Sequence, residues 1–263
     1  IDSLPNFPEN IVFLQQILSD PDSEIQDMAR QISMDPALTA DLLKLVNSAQ
    51  FMLPKKVDNI VEAVKMVGTR GLKNLLYSYG TQKILGGRDD AKRKELWNHS
   101  YRTAFYAYTL AKHFLRNKAV LDDVYAGGIL HDMGKIIFSS VHPQLIEKIT
   151  RFCREKNIPG QLFEDMTGGL NHSQIGGMIA EKWNFPEPLV HSIKFHHDPQ
   201  ASPLTSRSVV HTVYLANFFA NYGDRIVTFD QIDKSSLSDF RLQTEEQVTA
   251  IIERLSKAFE QET

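Results

Sequence analysis

His131 and Asp132 stand side by side in the run Leu130-His131-Asp132-Met133-Gly134-Lys135. An imidazole nitrogen and a carboxylate together are ligands suited to Zn, Fe or Mn. Neighbouring residues on a helix point about 100° apart, so this pair can share one ion only where the helix runs close to it. Lys135 follows His131 by four positions and so falls on the same helical face. Its ammonium can meet a phosphate; taken alone, it reads as a solvated surface lysine. A His-Asp dipeptide is weak evidence by itself, and its weight comes from the other histidines.

All nine histidines lie beyond residue 98. His99 sits in Trp97-Asn98-His99-Ser100. His172 opens Asn171-His172-Ser173-Gln174-Ile175-Gly176, and His196-His197-Asp198-Pro199 closes a helical run. His191 and His211 also stand where a role can be tested. Any one of these reads first as an ordinary hydrogen-bonded or surface side chain, and His113, His142 and His191 are read that way. The ordered series is harder to dismiss. Other chemistries find less support. Gly127-Gly128 and Gly168-Gly169 are not phosphate loops, because no GxxxxGK[ST] follows a strand. Ser100 has neither a base nor an orienting acid beside it. Lys55, Lys56, Lys65, Arg70 and Lys73 make the first block locally basic and read as a solvated helical face. Phe7, Phe13, Phe51 and Tyr79 read as core or subdomain-interface aromatics.

The elements that must position these residues are helices. Asp20-Pro21 and Asp35-Pro36 each place a capping side chain before a proline suited to the first helical position. Leu38, Leu42, Leu43 and Val46 follow at helical spacing. Ile60, Val61, Val64 and Val67 predict a short amphipathic helix, and Leu72, Leu75, Leu76 and Tyr79 a second after Thr69. Gly86-Gly87 and the polar stretch Arg88 to Lys94 mark a boundary. The division expected is 1–88 and 89–263. Beyond it the spacing predicts a long helix over about 91–116. A helix from about Asp122 carries Ala126, Ile129, Leu130, Met133, Ile136 and Ile137. Asn171 caps a helix running to Trp183, and Pro186-Glu187-Pro188 starts one running to His196. A further helix covers 209–219, and Thr244 with Gln247 forms a capping box for 245–259. No alternating strand pair with hairpin-turn chemistry is present. The fold class is all-α.

A net charge of −3 and a pI near 6.3 give no bulk drive toward nucleic acid or an anionic membrane. Cys153 is the single cysteine, which fits a reducing compartment. No run approaches the roughly 18 apolar residues that span a bilayer. The opening Ile1-Asp2-Ser3-Leu4 lacks the basic and apolar regions of a signal peptide. These features lead us to expect a cytoplasmic protein, and the missing initiator Met suggests a piece of a longer chain.

The wording of several segments, in order, resembles the HDOD group of bacterial signalling output domains within the HD phosphohydrolase superfamily. The segments are Leu4-Pro5-Asn6-Phe7-Pro8, Asp35-Pro36-Ala37-Leu38-Thr39, Leu45-Val46-Asn47-Ser48-Ala49 and Ala63 to Gly68. Further on come Gly127 to Lys135, His172 to Gly176, and Trp183-Asn184-Phe185-Pro186. The histidines are also similar to those of HD-GYP phosphodiesterases, which cleave cyclic dinucleotides with two or three metal ions. The resemblance implies an N-terminal helical subdomain packed on an HD-type bundle, with one or two divalent ions (Fe, Mn or Zn). It implies that His99, His131 and Asp132 hold one ion, together with an aspartate of a later helix. Asp132 would bridge to a second held by His172, His196 and His197. Asp132 and Lys135 would then be the catalytic pair.

This chain departs from the relatives at the last ligand: Ala216-Asn217 stands where they carry Ala-Asp. An amide oxygen is neutral and serves a divalent ion less well than a carboxylate. The Gly-Tyr-Pro segment of the phosphodiesterases is missing too, since His197 is followed by Asp198-Pro199-Gln200-Ala201-Ser202. The leading expectation is a regulatory output module with a protein partner in a signalling pathway, a nucleotide as its conceivable ligand, and weak or no hydrolysis. The alternative is a metal-dependent phosphohydrolase acting on nucleotides or cyclic dinucleotides. The seven side chains of His99, His131, Asp132, His172, His196, His197 and Asn217 are expected to converge.

Overall fold

The computed structural model describes residues 6–20, 23–47, 56–85, 91–115, 117, 119–141, 148, 151–152, 155–156, 164 and 171–261. Among them every regular element is a helix and no strand occurs. The chain divides into two compact units, Ile1–Gly87 and Arg88–Gln261. The predicted Gly86-Gly87 boundary itself falls outside the described residues.

In the first unit, α1 (Glu9–Ser19), α2 (Ile25–Ser33) and α3 (Pro36–Val46) pack against α4 (Ile60–Leu85). Their apolar stripes supply the core: Ile11, Leu14, Ile32, Leu42, Leu72 and Leu76 are buried. Full burial of each such side chain contributes about 2 kcal/mol. Asp35 caps α3, its Oδ1 accepting from the N–H groups of Ala37 and Leu38 at 3.1 Å each. Asp20 ends α1, and the residue before α2 (Ile25–Ser33) is Glu24, so Asp20 is not the N-cap of that helix as expected. Pro21 lies outside the described residues. Asn47 clamps Val57 by two bonds, Nδ2 donating to its carbonyl at 2.6 Å and Oδ1 accepting its N–H at 2.7 Å. The two helices predicted around Thr69 form one run broken at Gly68, whose φ of 70° and ψ of 171° favour glycine. Phe7 is buried as expected, Tyr79 is half-buried, and Phe13 is exposed instead of packed. Phe51 lies outside the described residues. Lys65 and Arg70 are exposed, consistent with a solvated face.

The second unit is built around α10. Among the described residues its helices include α5 (Ala91–Phe114), α6 (Ala119–Leu130), α7 (Met133–Val141), α8 (His172–Lys182), α9 (Glu187–Phe195), α10 (Arg207–Gly223), α11 (Lys234–Asp239) and α12 (Glu245–Glu260). From Val209 to Ala220 every residue of α10 is buried, as in a helix enclosed on all sides. Helices α5, α6, α9, α11 and α12 all pack on it. Phe105, Leu110, Val124, Phe219, Phe240 and Ile252 share one apolar core. Capping boxes at Asn171 and Thr244 fix the starts of α8 and α12. Gly127 and Gly128 are packing residues: a Cβ on Gly128 would lie 2.5 Å from Ala104 Cα.

The helix predicted from Asp122 through Ile137 is two helices, α6 and α7, separated by a turn at His131-Asp132. The His131 ring takes the Gly128 carbonyl at 2.7 Å, and the chain resumes as Lys135 N–H bonds the Asp132 carbonyl at 2.9 Å. His131 and Asp132 therefore do not project from one continuous helix. Lys135 turns to Asp132, not along a shared face with His131.

Candidate metal centre

His131 and Asp132 come from the α6–α7 turn, and His172 is the first residue of α8. His196 and His197 follow α9, while His99 lies on α5 and Asn217 on α10. All seven side chains expected to converge do so. His131, Asp132, His172 and His196 are fully buried. Solvent reaches the cluster beside His99 and Lys135, whose side chains are 16% and 34% exposed.

The imidazoles are oriented by acceptors behind them. The His131 Nδ1–H donates to the Gly128 carbonyl at 2.7 Å, and that of His196 to the Ile193 carbonyl at 2.7 Å. His172 Nδ1–H donates to Glu164 Oε2 at 2.7 Å, and the same oxygen accepts the His172 backbone N–H at 2.8 Å. In a neutral ring this places the lone pair on Nε2. Those lone pairs then face one another and the Asp132 carboxylate. His172 Nε2 lies 3.2 Å from His196 Nε2, 3.1 Å from His197 Nε2 and 3.3 Å from Asp132 Oδ1. His131 Nε2 and Asp132 Oδ1 are buried without a hydrogen-bond partner. Acceptors turned inward on a common point repel unless a cation lies between them, and second acceptors behind the rings are how proteins set histidine ligands. The donor set therefore fits a divalent ion. Asp132, His172, His196 and His197 form one group able to hold it, and His99, His131 and Asp132 another.

Electrostatics agrees with neutral His99, His196 and His197 rings beside an ionised carboxylate. Burial, which costs the charged form, pushes His99 down to about 4 and His196 to about 3. Burial and the neighbouring His196 and His172 also hold His197 well below the ordinary range. Burial alone would raise the Asp132 carboxyl. The neighbouring His131 ring and the Lys135 ammonium outweigh it and keep the carboxyl well below its usual value. Lys135 Nζ donates to Asp132 Oδ2 at 2.8 Å.

The two groups differ in readiness. His99 Nε2 lies 2.9 Å from Asn217 Oδ1, which also accepts from Asn221 Nδ2 at 2.9 Å. Its distance to Asp132 Oδ2 is 3.9 Å. Sequence reasoning missed Asn221 and Glu164. Asn221 was within reach, four residues after Asn217 and so on its face of α10. Glu164, eight residues before His172 in sequence, carries no such periodic signal.

The remaining histidines have ordinary partners. His113 Nδ1 meets the Thr109 carbonyl at 2.8 Å and His191 Nδ1 meets Ser206 Oγ at 2.8 Å. His142 lies outside the described residues, as do Cys153 and Gly168-Gly169. His211 joins Ser236 and Asp239, but Ser236 Oγ at 3.2 Å and Asp239 Oδ2 at 2.9 Å both approach Nδ1. A relay triad needs the hydroxyl and the acid on opposite ring nitrogens, so this group ties α11 to α10 and is no nucleophile site.

An all-helical unit with a buried His/Asp cluster drawn from five segments is the arrangement of an HD-type domain. The chain belongs to the HDOD domain family, whose pattern matches residues 4–199. It is 40% identical over 262 residues to an uncharacterised protein of Treponema pallidum (strain Nichols), covering 100% of this chain and 51% of that one. The chain thus spans about half the length of this relative. Among solved structures, an HDOD domain protein of unknown function from Geobacter sulfurreducens superposes with a TM-score of 0.77 at 23% identity, covering 99% of this chain and 91% of that one. A candidate phosphohydrolase from Shewanella amazonensis superposes at 0.70 with 23% identity, covering 97% and 91%. These two share the fold. Among the described residues no helix is long and apolar enough to cross a membrane.

Proposed function

We propose that this chain is a cytoplasmic signalling output domain that holds a divalent transition metal in its His/Asp centre, engages a protein partner, and hydrolyses phosphoesters weakly or not at all. The observation that carries this reading is the bond between His99 and Asn217. It ties one prospective ligand to a neutral amide at the position where the catalytic relatives have a carboxylate. When bound, a divalent ion supplies charge stabilisation to a phosphoryl oxygen, and paired-ion phosphoryl transfer needs both positions filled. Here Asp132, His172, His196 and His197 would hold an ion, and Asp132 and Lys135 would be the residues to touch a phosphate.

A second reading, a metal-dependent phosphohydrolase acting on nucleotides or cyclic dinucleotides, is favoured by the completeness of that quartet and by Lys135 beside it. The deciding experiment has two stages. Elemental analysis of protein purified without chelator is expected to find metal, and His196→Ala to lower it. A hydrolysis screen over nucleotides and cyclic dinucleotides is then expected to show little turnover. Rapid hydrolysis by the unaltered chain rejects the regulatory reading, and absence of metal after incubation with Fe, Mn or Zn salts rejects the metal assignment.

A further inference from the structure

The two oxygens of Asp132 keep different company. Oδ1 faces His172 Nε2 at 3.3 Å and His196 Nε2 at 3.5 Å, both ring nitrogens with inward lone pairs. Oδ2 already touches a cation, the Lys135 ammonium at 2.8 Å, with His131 Nε2 at 3.4 Å and His99 Nε2 at 3.9 Å beyond. Lys135 sits one turn from Asp132, its backbone N–H bonded to the Asp132 carbonyl at 2.9 Å. The pair is therefore fixed by local helix geometry as well as by charge. Asp132 is wholly buried while Lys135 reaches solvent, so the chain neutralises its own buried carboxylate from one side only.

The other ligand on that side is also committed. Whichever way the Asn217 amide is turned, it uses His99 Nε2: its oxygen would accept the ring N–H, or its NH₂ would donate to the ring lone pair. A second ion at Oδ2 would have to displace the ammonium and break the His99–Asn217 bond. It would also bring two more positive charges beside the first ion with no added carboxylate to offset them.

We propose that the centre is built for a single ion, held by Asp132 through Oδ1 with His172, His196 and His197, and that the Lys135 ammonium takes the place of a second ion on Asp132 Oδ2. This rests on the reading that the centre binds metal at all. Lys135 is then a charge partner built into the site, and the gap left by Asn217 is filled from within the chain.

The test is manganese loading of the whole chain, followed by equilibrium dialysis and electron paramagnetic resonance. The unaltered protein is expected to bind one Mn²⁺ per chain at saturation, with the six-line spectrum of an isolated ion. The double variant Lys135→Met/Asn217→Asp is expected to bind two, with an exchange-coupled spectrum, and its second ion at least about tenfold tighter than in Asn217→Asp alone, since one nearby positive charge is gone. Two coupled ions in the unaltered protein would overturn the single-ion inference while leaving the metal reading intact. Equal second-ion affinity in the single and double variants would overturn the part given to Lys135. No Mn²⁺ in any of the three, each with native helical circular dichroism, would remove both readings together.

Discussion

One carboxylate oxygen of Glu164 accepts both the backbone N–H and the ring Nδ1–H of His172, at 2.8 and 2.7 Å. The double contact fixes where α8 begins relative to Glu164 and which ring nitrogen faces inward. Burial raises the Glu164 carboxyl, but the His172 bonds outweigh it and hold the carboxyl below its usual range.

Glu164→Ala should therefore weaken metal binding by about 10- to 100-fold, the usual cost of losing the acceptor behind a histidine ligand. Glu164→Gln keeps an acceptor oxygen and should lose less. Competition titration against a chromogenic chelator measures both. An unchanged affinity in the alanine variant would deny Glu164 any part in orienting His172.

Gly134 gives a packing test of the same geometry. A Cβ there would stand 1.9 Å from the His172 carbonyl oxygen, a backbone atom with no rotamer in which to escape. Helices α7 and α8 would have to separate, drawing His172 away from Asp132. Gly134→Ala should destabilise the chain by roughly 3 kcal/mol and reduce metal content, read by urea unfolding and elemental analysis. Retention of both would mean that α8 shifts without disturbing the site.

At the start of α8, Asn171 Oδ1 accepts the Gln174 N–H at 2.9 Å and the Gln174 side chain returns a bond to the Asn171 N–H at 3.1 Å. Asn171→Ala should cost about 1 kcal/mol in urea unfolding. Because His172 is the next residue, metal affinity should fall as well. Asn171→Ser should restore most of the stability.

Acid should unfold the metal-free protein earlier than carboxylates alone would. His99 and His196 remain neutral in the fold down to about 4 and about 3, whereas unfolded histidine takes up its proton near ~6.5. Between those values the unfolded chain binds more protons, so stability falls as pH drops from about 6.5 toward 4 and is level in these groups above that. For His99 the full loss is on the order of 3 kcal/mol. Urea unfolding at pH 7.5, 6 and 5 should show the slope, and His99→Gln should flatten part of it. A stability that does not change over this range would count against neutral buried rings.

Much of this was legible in the sequence because helices advertise themselves locally. The Asp35, Asn171 and Thr244 caps, the Pro186-Glu187-Pro188 start and the apolar run of α10 are all fixed by residues within a turn or two of each other. The candidate ligands were legible for a different reason, the ordered motifs of the family. What escaped was set by contacts distant in sequence or by side chains bonding to backbone. The break at His131-Asp132 lies inside an apolar helical pattern, and periodicity cannot register a ring that takes the Gly128 carbonyl. Asp20 looked like a cap, yet α2 starts five residues later. Phe13 shows the opposite error: an aromatic ring expected in a core lies exposed, because Ile11 and Leu14 already turn the buried stripe of α1 inward.

The ligands lie far apart along the chain: His131 and His196 face each other with ring centroids 4.9 Å apart. An ion held there is a cross-link. It closes the loops between 132 and 172 and between 172 and 196, whose entropy the bare chain must otherwise lose without help. Binding free energy at such a centre is folding free energy. Chelation would then act on the second unit as a reducing agent acts on a disulfide-bonded domain, loosening the knot of helices around α10 without touching a peptide bond.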